Sequence, residues 1–107
     1  MTYIISFDVG GTNSCSGGTV KIGEWQYVAA TYDGNYIHCY INGVEVSKTA
    51  DTSGTIDVQN TSLYFGSDGG AANYFNGKID EAKIFNYALS PAQIREEYNG
   101  GYGTYFK

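Results

Sequence analysis

Trp25-Gln26-Tyr27-Val28-Ala29-Ala30-Thr31-Tyr32-Asp33-Gly34-Asn35-Tyr36-Ile37-His38-Cys39-Tyr40-Ile41-Asn42-Gly43 is the stretch that decides the fold. From Tyr36 to Ile41 the side chains alternate with period two, so Ile37, Cys39 and Ile41 share one face of a strand and Tyr36, His38 and Tyr40 the other. The first set is the core face. The run before it separates Trp25, Tyr27, Ala29 and Thr31 from Gln26, Val28, Ala30 and Tyr32. Both sets are apolar enough for a central strand covered on its two sides. Asp33-Gly34-Asn35 between the runs and Asn42-Gly43 after the second supply residues that tolerate positive φ where tight hairpins need them. Antiparallel pairing follows.

Working outward, strand-like runs recur at residues 2–8, 18–22, 44–48, 62–66 and 78–86, with a third turn pair at Asn76-Gly77. Within the last run Ile79 and Ile84 stand five apart and cannot both face inward on an unbroken strand. An extra residue at Asp80-Glu81, a β-bulge, would reset the register. One helix is expected over residues 90–100: Ser90 fits the N-cap, Pro91 N1, Gln93 the capping box and Gly100 the C-terminal cap. Leu89, Ile94 and Tyr98 form its apolar stripe, with Leu89 stapled onto Ile94. The tail alternates at Tyr102, Thr104 and Phe106 and reads as an edge strand.

A chain of 107 residues makes one domain, residues 1–107, with a modest core. Tyr at 11 and Gly at 15 suit pleated, half-buried surfaces and their turns, so the chain is all-β apart from the helix. The net charge of −5 opposes phosphate backbones and anionic headgroups, which argues against nucleic acid as a partner. No run of about 18 apolar residues occurs, and the N-terminus has neither a basic nor a long apolar region. Neither membrane insertion nor a signal peptide is expected. Cys15 and Cys39 fit no zinc or redox spacing; a buried free Cys39 is one reading and a Cys15–Cys39 bridge the other.

Four segments in order, Trp25 to Gly34, Tyr40-Ile41-Asn42-Gly43, Leu63-Tyr64-Phe65-Gly66-Ser67, and Phe75 to Ser90, resemble the laminin-G-like domains of the concanavalin A-like lectin/glucanase jelly roll. The resemblance runs from about residue 18 to residue 98. It implies an antiparallel β-sandwich with one short C-terminal helix, in a family whose members have roughly 150 to 200 residues. Set against that pattern, Met1 falls near the family's middle strands, so the jelly roll reads as N-terminally truncated. Bare edges and apolar faces are avoided in folded proteins, and a second copy of the chain, a homo-oligomer, is the expected cover. The matching Trp of the family is structural, which implies a core position for Trp25. Family members point to an extracellular or cell-surface location.

By the same resemblance the expected activity is non-catalytic, lectin-like binding of a carbohydrate or glycoconjugate. The alternative is a structural protein that self-associates and takes no sugar, and a third reading is a piece of a larger secreted adhesin or glycoside hydrolase. Asp68, Asn73 and Tyr74 form a polar, glycine-rich loop able to meet hydroxyls and a pyranose face, or simply a solvated loop. Tyr36 and Tyr40, with His38 between them, form either an aromatic platform or a subunit contact. Asp80 and Glu81 are the candidate ligands for Ca²⁺, and otherwise a backbone acceptor and a solvated side chain. A catalytic role is not expected: the glucanase-type alternation of acids is missing, adjacent Asp80 and Glu81 would point to opposite faces, and His38 is the lone histidine.

Overall fold

The computed structural model describes residues 3–8, 13–52, 63–67, 70 and 73–100. In chain order the elements are β1 (Tyr3–Asp8), β2 (Ser14–Val20), β3 (Val28–Tyr32), β4 (Tyr36–Ile41), β5 (Val44–Ala50) and α1 (Pro91–Asn99). They form two antiparallel sheets, β1-β2 and β3-β4-β5, and the first packs on the second mainly through β2, which lies against β5 and β4. The expected strand at 18–22 lies earlier, at Ser14–Val20.

The hairpins form as their turn chemistry requires. Asp33 Oδ1 accepts the backbone N–H groups of Asn35 (2.8 Å) and Tyr36 (2.7 Å), and Gly34 takes φ 92°. Asn42 and Gly43 take φ 51° and 79°, both positive, as the tightest two-residue hairpin loop demands. Asn42 also anchors the segment ahead of β3, because its N–H donates to the Tyr27 carbonyl (2.8 Å) while its Oδ1 accepts the Tyr27 N–H (2.9 Å).

The period-two reading of β4 holds on its inner face. Ile37, Cys39 and Cys15 make a fully buried cluster between the sheets, joined by Ile5, Ala30, Tyr32 and Val46. A second cluster lies on the opposite face, where Tyr40, Leu89 and Ile94 are buried together with Tyr27 and Ala29 against them. The layer that makes it is α1. Ser90 Oγ accepts the Gln93 N–H (3.2 Å), Gln93 Oε1 accepts the Ser90 N–H (2.8 Å), and Pro91 occupies N1. Leu89 at N′ and Ile94 at N4 bury together, as a hydrophobic staple does. Tyr98 extends the contact, its ring 5.9 Å from that of Tyr27 and its side chain over Gly43, where a Cβ would meet it at 3.2 Å. Each fully buried Leu, Ile or aromatic side chain contributes about 1.5–3 kcal/mol. This small cluster is therefore what holds the helix to the sheet.

Several expectations need correction. β3 is covered on both faces, but β4 is the central strand of its sheet and β3 lies beside it. Trp25 is not a core residue: it is 68% exposed, in a segment outside both ladders, and Tyr27 and Tyr40 fill the space beneath the helix instead. Residues 63–66 and 78–86 are not strands, and Leu63, Phe65, Ile79, Ile84 and Phe85 are exposed. Alternation marks a surface fit to be half-buried without naming the sheet edge that receives it. With no ladder there, the expected bulge at Asp80-Glu81 is absent as such. The break in periodicity takes another form: Glu81 adopts φ 51° and its N–H donates to Asp80 Oδ1 at 2.8 Å. The expected strand in the tail lies outside the described residues.

Candidate functional site

The outer face of β4 carries Tyr36, His38 and Tyr40, and the structure divides them. Tyr40 is 1% exposed beneath α1, so it is not available to a ligand. The helix covers that end of the strand because Leu89 and Ile94 need an apolar partner and Tyr40 with Ala29 supplies one. Burial, then the Glu45 carboxylate, push the Tyr40 hydroxyl above its usual value. Tyr36, at the far end, stays 40% exposed.

Around Tyr36 the chain assembles a set that the sequence did not single out. β5 departs from simple alternation: Tyr40 pairs with Glu45 but Cys39 pairs with Ser47, which leaves Val46 as an extra residue. The consequence is positional. Val46 turns into the inter-sheet cluster, while beyond the irregularity Lys48 comes opposite His38. Glu45 and Lys48 are three apart and would face opposite ways on a regular strand. Here Glu45 bonds His38 through Nδ1, and Lys48 Nζ stands 4.2 Å over the Tyr36 ring. Asp33, from the β3–β4 turn, faces the other ring nitrogen, with Oδ2 3.6 Å from Nε2. The Tyr36 and His38 rings lie 6.1 Å apart, tilted by 50°. Backbone N–H groups of Tyr36 and Asn35 hold the Asp33 carboxyl below the usual carboxylate range, so it remains an acceptor well into mild acid.

The result is a solvent-open patch of Tyr36, His38, Asp33, Glu45 and Lys48, in which one aromatic ring is rimmed by hydrogen-bond donors and acceptors of both charges. Such a patch suits a polyhydroxylated ligand with an apolar face. The clue to it in the sequence was the three-residue spacing of Glu45 and Lys48 beside His38, legible only once the register is known.

The other candidate positions lie elsewhere. Asp68 lies outside the described residues. Asn73 adopts φ 51°, and Tyr74 is 67% exposed with its hydroxyl donating to the Gly70 carbonyl (2.9 Å). Gly70 N–H in turn donates to Ser67 Oγ (3.0 Å), so this loop is tied by its own groups. Asp80 and Glu81 are both exposed. Among the described residues no three His, Cys, Asp or Glu side chains converge as metal ligands, and two carboxylates fall short of the six to eight oxygens calcium takes. No helix among the described residues is long and apolar enough to cross a membrane.

Two antiparallel sheets packed face to face define a β-sandwich, and comparison with known proteins agrees. Residues 2–95 match the laminin-G-like family model of the concanavalin A-like lectin/glucanases superfamily, and the chain belongs to that family. The matched span opens well ahead of residue 18, where the motif resemblance begins. The chain is 32% identical over 77 residues to pappalysin-1 of Homo sapiens, covering 67% of this chain and 5% of that protein. It is also similar to the crystal structure of residues 221–444 of an S-layer domain-containing protein from Clostridium thermocellum. There the identity is 27% and the TM-score 0.57, over 80% of this chain and 45% of that one. The chain thus spans about one-twentieth of the first relative and under half of the second.

Proposed function

We propose that this chain is a non-catalytic binding module working in an extracellular or cell-surface setting, and that its ligand is a carbohydrate or glycoconjugate taken at the Tyr36 patch. The observation that carries this reading is the exposed Tyr36 ring flanked by Lys48, His38, Asp33 and Glu45 on one open face. An aromatic ring offers a flat apolar surface to the C–H face of a sugar, and the charged rim exchanges hydrogen bonds with its hydroxyls. Membership of a lectin-like superfamily and the S-layer context of one relative support the class of ligand and the location. The test is a panel of immobilised oligosaccharides probed with the wild-type protein and with Tyr36→Ala. Binding that falls at least tenfold in the variant, with unchanged thermal unfolding, is the expected result. Equal binding by both proteins, or none by either, counts against the reading.

A second reading has its own observation. Leu63, Phe65, Phe75, Ile79 and Ile84, all within residues 63–84, are each more than half exposed, and clustered exposed apolar side chains are a mark of surfaces that bind another protein. Self-association through residues 63–87 would cover them. Solution mass by light scattering separates the two: a dimer that dissociates when Phe75 and Ile79 are replaced by Ser favours the second reading, and a monomer at every concentration removes it.

A further inference from the structure

The two cysteines of the chain meet. Cys15 lies on β2 and Cys39 on β4, 24 residues apart, and both are fully buried in the cluster between the sheets. Cys39 Sγ donates to the Cys15 carbonyl oxygen at 3.3 Å, and both thiols are free. Neither is the other's ladder partner, for Cys15 stands opposite Phe7 and Cys39 opposite Ala30 and Ser47. A bond between them would join the two sheets face to face. As packing elements, two buried thiols do nothing that small apolar side chains could not do. What the pair adds is the capacity to cross-link.

We propose that Cys15 and Cys39 are an inter-sheet disulfide site, closed by exchange with a small-molecule disulfide such as oxidised glutathione. In the first step one cysteine thiolate attacks a sulfur of the reagent, forming a mixed disulfide and expelling one glutathione thiolate. In the second, the other cysteine thiolate attacks the protein-bound sulfur, forming the Cys15–Cys39 bond and expelling the second. The two cysteines lose two electrons and two protons, and the reagent is reduced to two glutathione thiols. Burial, with Cys15 beside it, pushes the Cys39 thiol up to about 12, so almost no thiolate exists in the closed sandwich at neutral pH. Exchange therefore proceeds while the sheets are apart, during folding. The environment in which the chain folds thereby decides its covalent state. The inference rests on the fold and is independent of what the Tyr36 patch binds.

The experiment refolds the wild-type chain from denaturant in two ways, with excess reductant and with a reduced/oxidised glutathione mixture. Intact mass, thiol count in denaturant, non-reducing electrophoresis and thermal unfolding are then recorded. The oxidatively refolded protein is expected to be lighter by two hydrogens, to show no thiol and to migrate as a monomer. Its midpoint should rise by about 15 °C, the shift that closing a loop of this length produces in a domain this small. The reduced protein should react with a thiol reagent only after denaturant is added. Persistent glutathione adducts, disulfide-linked dimers, or a midpoint that stays or falls on oxidation would overturn the proposal. A Cys15→Ala, Cys39→Ala variant that gained the same shift in the glutathione buffer would overturn it as well.

Discussion

Replacing Ile94 and Ile84 by alanine, one at a time, makes the same chemical change at two positions that the fold treats oppositely. Ile94 is 1% exposed, at N4 of the helix, against Tyr40 and Leu89. Ile84 is 67% exposed, in a segment without a ladder. Truncating a buried isoleucine costs about 2–5 kcal/mol through lost transfer energy and the residual cavity. Since the helix can settle somewhat towards the sheet, about 3 kcal/mol is appropriate for Ile94→Ala. With an unfolding entropy near 2.1 cal/mol/K per residue, a domain of 107 residues would lose about 13 °C in its midpoint. The exposed Ile84 should cost about 0.5 kcal/mol or less, a shift of about 2 °C. Urea and thermal unfolding followed by circular dichroism read both numbers, and an unchanged urea slope confirms that the denatured state is not what moved. If Ile84→Ala proved as damaging as Ile94→Ala, the segment around it would be packed in solution, and the assignment of residues 78–86 to exposed chain would be wrong. A concentration-dependent loss in Ile84→Ala would point instead to a second copy as the cover.

Three further expectations follow from the geometry. Gly18→Ala would place a Cβ 2.5 Å from Ile41 Cδ1 and 3.1 Å from Val46 Cγ2 at φ 73°, and should cost about 2–3 kcal/mol in urea unfolding; a neutral result would mean the sheets are less closely packed. Asn42→Ala removes the acceptor of the Tyr27 N–H and leaves alanine at φ 51°, for about 1–2 kcal/mol, whereas Asn42→Gly should lose less because the turn keeps its conformation. Burial raises the Cys39 thiol and the Tyr27 and Tyr40 hydroxyls, so the folded chain holds these protons to higher pH than the unfolded chain does. Their contribution is complete below the unfolded values, about 8.5 for Cys and 10 for Tyr, and drains away as pH rises through the raised folded ones. Urea midpoints should hold level through neutrality and fall from about pH 9 upward, and Tyr40→Phe should lessen the loss above pH 10; a flat profile to pH 11 would contradict the burial of these groups.

The strands at 3–8, 28–32, 36–41 and 44–50 were legible because their signals are local: alternation, and turn residues whose backbone demands only Asn, Asp and Gly meet cheaply. The helix was legible down to its caps for the same reason, since the capping box links residues three apart. What stayed hidden depends on contacts distant in sequence. Alternation places Tyr40 on the face away from the inter-sheet cluster, but nothing near it in the sequence shows that α1, about fifty residues on, closes over that face. The family resemblance implies a core position for Trp25, yet Tyr27 is the residue packed against the buried cluster and Trp25 is exposed. Lys48 and Glu45 entered the site through an extra residue at Val46, a register event that no local propensity marks. Of the patch, only Tyr36 and His38, which share one face of β4, are legible from alternation alone.

The central claim is that an oligosaccharide binds on the β4–β5 face beside Tyr36. Its most direct test is backbone amide NMR of the ¹⁵N-labelled chain, titrated with the tightest-binding oligosaccharide from the panel. The account predicts saturable shifts confined to Asp33, Tyr36, His38, Glu45, Lys48 and their strand neighbours, with Tyr40 and the helix moving little. Shifts centred on residues 63–87, or no saturable shift with any sugar in the panel, would contradict it.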